Sequence, residues 1–298
     1  MAVVALFVFF LLRFAPGDPA AIIAGEDATN EAIEAVRMKL GLDRPVVEQF
    51  AVWLWALAQG DLGVSIFSNL AVTRLIAQRM EPTIALTLST LLVAVALAIP
   101  IGVVAAWKAR KLVDRLVMGI AVLGFAMPVF VLAYVLIYFF SVQWKLLPVQ
   151  GYSPLSEGFW PFVEKLILPS VALGVTYMAL IARITRASML EVLQQDYIRT
   201  ANAKGLATNR VLLLHALKNA AVPIVTVIGI GIALLISGVV ITETVFNIPG
   251  LGRLTVDAVL KRDYPIVQGL ILVFAAAKVV VNLLIDISYA FLDPRIRY

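Results

Sequence analysis

The polar side chains with the clearest potential for chemistry lie inside the last long apolar run of the chain. Lys278, Asn282 and Asp286 are spaced four residues apart, so a helix would place them on one face. A charge at membrane depth costs roughly 3 kcal/mol and usually faces a bundle interior or water. Lys278 lies deeper than Asp286 and is, with Asn282, a candidate for lining a translocation path, whereas Asp286 suits an interfacial ion pair. Eight residues of helix separate Lys278 from Asp286 by roughly 12 Å, so we do not expect these two to pair directly.

Catalytic motifs are absent from the rest of the chain. There is no GxxxxGK[ST] loop to hold phosphates, so the chain itself is not expected to hydrolyse ATP. HExxH and GxSxG are missing, and a single histidine, His215, cannot build a hydrolase triad or a multi-histidine metal site. Cysteine is absent, which excludes disulfides and thiolate ligands. We therefore predict a protein that is not an enzyme and holds no metal or cofactor.

The composition is that of an integral membrane protein. Hydrophobic residues make up 62% of the 298 residues and charged residues only 14%, and the mean hydropathy is +0.97. Five apolar runs are long enough for a bilayer of roughly 30 Å, which takes about 20 residues each. They cover approximately residues 84–107, 116–142, 166–184, 220–242 and 266–291. Pro100 and Pro128 lie inside two of these runs, where neighbouring helices can satisfy the freed carbonyls. The predicted fold class is an all-α polytopic membrane protein.

The start of the chain predicts a sixth, shortened span. Residues 1–12 are apolar, but a helix of that length covers only roughly 18 Å. No basic residue precedes this run and no small-residue cleavage site follows it, which does not fit a complete signal peptide. We expect the opening turns of a first span, roughly 10–20 residues, to be missing from this sequence.

Residues 20–80 are mixed in character and are expected on the outer side. Asn30 could cap a short helix that ends at Gly41, and Asp43 could cap another that ends near Gly60. The second helix carries three aromatic residues that indicate either a small hydrophobic core or an interfacial belt: Phe50, Trp53 and Trp55.

Basic residues in the short connections fix the predicted orientation. One side carries 12 cationic residues: Lys108, Arg110, Lys111, Arg115, Arg183, Arg186, Arg199, Lys204, Arg210, Lys218, Arg295 and Arg297. Four acidic residues share that side: Asp114, Glu191, Asp196 and Asp293. The other side has nearly as many cations, but about half of them lie in the long first loop, where the positive-inside rule has little force. The first side is therefore predicted to be cytoplasmic, with both termini inside.

The longest polar segment of the second half, residues 196–223, lies on that cytoplasmic side. Apolar residues at helical spacing predict one amphipathic helix: Met189, Leu190, Leu193, Tyr197, Ile198 and Ala201. Gly205 is placed to end it in a left-handed turn, and Thr208 or Asn209 could cap the next helix. A bent helix pair with exposed cations is typical of a docking surface.

The outer stretch 246–264 contains the turn-forming residues Pro249, Gly250 and Gly252 between Phe246 and Leu254. It could be an ordinary connection. Its apolar residues equally suit a loop that folds back against the mouth of the bundle.

Several of these stretches resemble the permeases of ABC importers. The segment RTANAKG…HALKNA resembles the EAA motif of that family, in the variant of its dipeptide/oligopeptide/nickel branch, and Arg199, Thr200 and Ala201 stand where the general pattern has Glu-Ala-Ala. Only the second alanine and Gly205 match that general pattern. LLRFAPGDP, ETVFNIPGLGRL and VNLLIDISYAFLDPR are similar to further motifs of the same branch.

The resemblance implies a type I ABC-importer permease fold in a bacterial or archaeal inner membrane. It implies four kinds of contact: a paralogous permease subunit, two ATP-binding cassette subunits that bind the ATP, an external solute-binding protein and membrane lipid, with no nucleic acid. The implied substrates are di- or oligopeptides, or related solutes such as nickel chelates or glutathione. The implied ATPase-coupling residues are Tyr197, Arg199, Thr200, Ala201, Lys204, Gly205, Leu206 and His215. The implied external gate is formed by Phe246, Pro249, Gly250 and Gly252.

Two parts are predicted: residues 1–80, with the first span and an outer insert, and residues 81–292, the ABC transmembrane type-1 domain with its coupling loop at 187–219. An alternative function is a secondary transporter that uses Lys278 and Asp286 as an ion relay. Such proteins often show inverted repeats and helices broken at the midplane, and neither is evident in the sequence.

Overall fold

The computed structural model describes residues 1–14, 19–24, 29–39 and 41–292. Apart from one isolated antiparallel bridge between Val64 and Ala71, these residues form helices and their connections. The helices are α1 (Ala2–Phe14), α2 (Pro19–Ala24), α3 (Asn30–Lys39), α4 (Val46–Ala58), α5 (Val72–Trp107), α6 (Leu112–Ala126), α7 (Val129–Leu136), α8 (Phe159–Leu193), α9 (Asp196–Ala203), α10 (Thr208–Arg210), α11 (Ala221–Val245), α12 (Leu251–Lys261) and α13 (Tyr264–Leu292). Two π-helical segments, Ile137–Gln143 and Val211–Leu217, continue α7 and α10.

The predicted spans are found as long helices or as bent helix pairs. Among the described residues, Val72–Trp107, Phe159–Leu193 and Tyr264–Ser288 are each long and apolar enough to cross a membrane, and the number rises to five when each of two bent helix pairs is counted as one span. Pro100 stays inside α5, as expected. Pro128 does not stay inside a helix: α6 ends at Ala126, α7 begins at Val129, and the two segments are bent by 104°. The prediction of one continuous span at 116–142 is therefore wrong, because the proline ring has no N–H to donate and restricts the residue before it.

One compact unit comprises Met1–Met80 and Leu254–Ala277. Its core contains Val8 of α1 and Leu272 of α13, with Trp53 of α4 packed against them. The Phe9 ring lies 5.0 Å from that of Phe50, and Gln268 Nε2 donates a 2.9 Å hydrogen bond to the carbonyl oxygen of Val8. Phe50 and Trp53 thus belong to a small hydrophobic core.

Helix caps in this unit differ from those expected. Thr29, not Asn30, caps α3, because its Oγ1 accepts a hydrogen bond from the Ala32 N–H. Pro45 occupies the cap of α4 and makes no side-chain bond, so Asp43 is not the cap. Gly41 and Gly60 have the left-handed conformation, with φ of +65° and +82°.

The second compact unit comprises Glu81–Arg253 and the chain from Lys278 onwards. Side chains of α5, α7, α8 and α11 contribute to its core, and the buried side chains of α8 extend from Leu166 to Met189. Small side chains let these helices approach closely: a Cβ added to Gly102 of α5 would lie 2.6 Å from Cβ of Thr185 in α8. The two compact units are defined by contacts within the chain, and their bounds differ from those of the two predicted domains. The division at residues 80 and 81 therefore stays a prediction.

Candidate coupling surface and outer turn

The polar segment after α8 forms two helical pieces joined by a sharp turn. The single amphipathic helix predicted through Ala201 is wrong, since α8 ends at Leu193 and α9 begins at Asp196. Gln195 takes an extended conformation between them, with ψ 149°. Gly205 has φ +73°, so the predicted left-handed turn is present. The two apolar patterns lie on either side of a break that the periodicity does not show.

The N-terminus of the next helix lacks the predicted cap. Ala207 occupies the cap position of α10 and makes no side-chain hydrogen bond, so neither Thr208 nor Asn209 acts as the cap. Ala207 has an extended backbone conformation, with ψ 138°, and α10 begins at the next residue, Thr208.

The buried face of α9 packs into the protein. Ile198 is 2% exposed and Ala201 is 7% exposed, and both belong to the core cluster that includes Val211, Leu212 and Ala216. Ile198 therefore does not lie on the face of α9 that a partner could contact. The two side chains instead fasten α9 to the π-helical segment Val211–Leu217.

The opposite face of α9 is open to solvent. Tyr197 is 44% exposed, and Arg199 is exposed in its ion pair with Asp196, at 3.2 Å. Thr200 and Lys204 are exposed as well, and Leu206 is half-buried against the core. An exposed ion pair of this kind contributes little to stability, so these charges remain available to a partner.

His215 is half-buried in the π-helical segment. Its carbonyl oxygen accepts a 2.6 Å hydrogen bond from Asn219 Nδ2 and lies 3.5 Å from the Tyr197 hydroxyl. No group of three or more metal-ligating side chains is found in the described residues. The structure thus brings Tyr197 of α9 to His215, 18 residues away in the chain.

A buried ion pair near the coupling loop was not anticipated. Asp114, in the first turn of α6, accepts two hydrogen bonds from the Arg186 guanidinium of α8, at 2.5 and 2.7 Å. Asp114 also accepts the N–H of Arg110, a residue with φ +65°. In the sequence these residues were counted as charges on the cytoplasmic side. Their pairing across 72 positions fixes the end of α8 that leads to α9.

The polar stripe of α13 is exposed. Lys278, Asn282 and Asp286 are all accessible, and Lys278 and Asp286 form no ion pair in the described part of the chain. The interfacial ion pair predicted for Asp286 is not found among the described residues, which end at residue 292. The role of Lys278 and Asn282 in a translocation path stays a prediction.

Residues 246–253, which the sequence predicts on the outer side and which we call the outer turn, fold back onto the bundle, as one of the two interpretations predicted. Phe246 and Ile248 are buried, Gly250 and Gly252 are buried too, and Pro249 is exposed. Beneath the turn lies Glu243 of α11, which is fully buried. The stretch that begins at Glu243 resembles a motif of the permease family, but the sequence alone predicts no role for Glu243. The signal that was available is a lone carboxylate at the end of an apolar span.

A second outer connection is bonded to the same region. The N–H of Gly151 donates a 2.8 Å hydrogen bond to the carbonyl oxygen of Phe246. Glu81 of α5 accepts hydrogen bonds from the Tyr152 hydroxyl, at 3.0 Å, and from the Leu155 N–H, at 3.2 Å. Burial, and then the neighbouring Glu81 carboxylate, raise the pKa of the Tyr152 hydroxyl well above its usual value. Tyr152 is therefore a hydrogen-bond donor throughout the physiological pH range.

Comparison with known proteins identifies similar chains over the full length. Residues 98–298 match the family model described as the binding-protein-dependent transport system inner membrane component, and residues 1–87 match the N-terminal model of such membrane components. A probable peptide ABC transporter permease protein of Sinorhizobium fredii is 51% identical over 298 residues, covering 100% of this chain and 95% of the relative. The dipeptide transport system permease protein of Escherichia coli is 40% identical, covering 99% of this chain and 94% of the relative.

Two solved structures share the fold. A methionine ABC transporter in an inward-facing conformation matches with a TM-score of 0.61 and 16% identity, over 74% of this chain and 96% of that one. An amino acid ABC transporter matches with a TM-score of 0.53 and 16% identity, over 75% of this chain and 95% of that one.

Proposed function

Because the chain belongs to the family of binding-protein-dependent transport system inner membrane components, we propose that it carries di- or oligopeptides across the membrane. It is a multi-pass inner-membrane permease subunit of an ABC importer and not an enzyme, and it works with ATPase and binding-protein partners. Support for a peptide substrate comes from the full-length relatives that are named as peptide or dipeptide permeases. Nickel chelates and glutathione are the related solutes whose uptake should be compared with that of a dipeptide.

The assembly we propose has four further components. A paralogous permease pairs with this chain as a heterodimer, two ATPase subunits lie on the cytoplasmic side, and a solute-binding protein delivers cargo from outside. ATP is bound by the ATPase subunits, so this chain needs no cofactor. The excess of basic residues on the side of α9 supports cytoplasmic termini.

ATPase coupling is assigned to the exposed face of α9 and to the turn that follows it. Tyr197, Arg199, Thr200 and Lys204 contact the ATPase in this proposal, and Gly205 shapes the turn before Leu206. The exposure of these side chains supports this role.

The buried face of α9 carries the motion onward. Ile198 and Ala201 share a core with Val211 and Ala216, which precede α11, so a displacement of α9 moves the start of that span. His215, whose carbonyl lies near the Tyr197 hydroxyl, belongs to the same contact. The permease pair then alternates between inward and outward access around a path to which Lys278 and Asn282 contribute.

The observation that carries this proposal is the combination of 51% identity over the whole chain with an α9 that is open to solvent on one face and fastened to the core by the other. The test uses the complete assembly in lipid vesicles, with a labelled dipeptide, its binding protein and ATP on the ATPase side. We expect uptake that requires ATP and binding protein and persists when a protonophore collapses the proton gradient. Uptake that needs the gradient and not ATP would refute the proposal and favour the ion-relay alternative.

A further inference from the structure

The Glu243 carboxylate organises the outer turn by accepting hydrogen bonds from a side-chain hydroxyl and a backbone N–H. Its Oε1 accepts a 2.6 Å hydrogen bond from the Thr83 hydroxyl of α5, and its Oε2 accepts a 3.0 Å bond from the Arg253 N–H. The Thr83 oxygen also accepts a 2.7 Å bond from the Leu251 N–H. These contacts join α5, α11 and the first turn of α12, although 160 residues separate Thr83 from Glu243.

The polarity of this cluster requires an acceptor at both oxygens of residue 243. Leu251 and Arg253 lie in the first turn of α12, where N–H groups have no partner within the helix and a negative charge is favourable. A glutamine at position 243 has one acceptor oxygen, so when that oxygen accepts the Arg253 N–H the NH₂ group faces the Thr83 hydroxyl, which must turn from donor to acceptor. The carboxylate accepts from both groups without that change and supplies the negative charge that the start of α12 favours.

Two glycines allow the backbone to approach the carboxylate. A Cβ on Gly250 would overlap the carboxylate group of Glu243. A Cβ on Gly252 would lie 2.7 Å from Cα of Val240 and 3.0 Å from Oε2 of Glu243. The spacing of Glu243, Gly250 and Gly252 in the sequence thus has a common cause, which is close packing of the turn onto one side chain.

We propose that Glu243 is a positioning residue of the outer gate: its carboxylate, acting with Thr83, holds residues 246–253 against α5 in the arrangement that the loaded binding protein meets. This inference rests on the proposed function of Phe246, Pro249, Gly250 and Gly252 as the external gate. Glu243 touches no substrate in this proposal. It acts through the turn that it holds.

The first measurement is hydrogen–deuterium exchange in the peptide covering residues 246–253, in the assembled transporter. In Glu243→Gln the amide of Arg253 should exchange about tenfold faster, because its hydrogen bond to a charged group has been lost. Thr83→Val should speed exchange at Leu251, whose acceptor it removes, whereas Thr83→Ser keeps the hydroxyl and should behave as the wild type. Thr244→Ala is the matched control, since the Thr244 hydroxyl is exposed and bonds to Val240 in its own helix. Exchange in residues 196–210 should not change in any variant.

The second measurement is uptake at varied concentrations of loaded binding protein. Glu243→Gln and Thr83→Val should raise the KM for the loaded binding protein about tenfold, in line with the exchange, and leave the maximal rate per complex near that of the wild type. Unchanged exchange would overturn the assignment of Glu243. Faster exchange with an unchanged KM, or a loss confined to the maximal rate, would reduce Glu243 to a structural residue. A wild-type complex without peptide uptake would refute the proposed function instead, and the exchange would still decide whether Glu243 holds the turn.

Discussion

Replacing Gly205 by valine tests the coupling surface through backbone conformation alone. Gly205 has φ +73°, and a Cβ added there would meet no atom within 4 Å. The cost of the substitution therefore comes from the left-handed backbone, at roughly 1–2 kcal/mol and somewhat more for a β-branched side chain. That corresponds to a factor of about 5–30 in the equilibrium between the native turn and its alternatives.

The chain supplies two matched controls. Gly60 has φ +82° and also has no atom within 4 Å of an added Cβ, but it follows α4 in the predicted outer insert. Gly60→Val thus carries the same backbone cost away from the coupling surface. Gly205→Asn should be tolerated, because asparagine adopts this conformation readily, as Asn69 and Asn247 do at φ +54°.

The assay is a titration of the purified permease pair with its ATPase subunits, followed by peptide uptake in vesicles. We expect Gly205→Val to weaken ATPase association by about 5- to 30-fold and to lower uptake at limiting ATPase. Gly60→Val and Gly205→Asn should bind ATPase like the wild type. Equal association for Gly205→Val and the wild type would refute the coupling role of this turn, and an equal loss in Gly60→Val would show that the effect is not local.

Three further predictions concern one ion pair, one helix contact and the orientation in the membrane. Asp114→Asn should lower the free energy of unfolding in detergent by about 3 kcal/mol, the lower end for a broken buried ion pair, because Arg186 is partly exposed. The double variant Asp114→Asn with Arg186→Met should lose less stability than Asp114→Asn alone. An equal loss in the two variants would contradict the ion pair. Gly229→Ala should lower the free energy of unfolding by about 1–3 kcal/mol, because the new Cβ would overlap the side chain of Ile285. Adding Ile285→Ala should restore part of the thermal stability. If it restores none, the contact between positions 229 and 285 is not the cause of the loss. In this cysteine-free chain, cysteines at Ser68 and Ser156 should react with an impermeant maleimide from outside intact cells, and one at Thr208 should not; labelling at Thr208 would reverse the orientation.

Sequence-local properties determined the class of the protein. Apolar runs of about 20 residues can be found from composition alone, so five candidate spans could be located without a structure, although the run at 116–142 is a bent helix pair. The left-handed turn at Gly205 was predictable for the same reason, because the conformational freedom of glycine belongs to one residue. The family was recognised from short motifs in order along the chain.

Tertiary structure decided which of those residues are accessible and which side chains meet. The helical periodicity placed Ile198 beside Tyr197, but only packing against Val211 makes one buried and leaves the other exposed. Proline alone does not decide where a helix breaks, since Pro100 stays inside α5 whereas Pro128 separates α6 from α7. Glu243 shows the limit most clearly, since its partner Thr83 lies 160 positions away. A pairing at that distance leaves no periodic signal in the sequence, because it is set by the packing of α5 against α11.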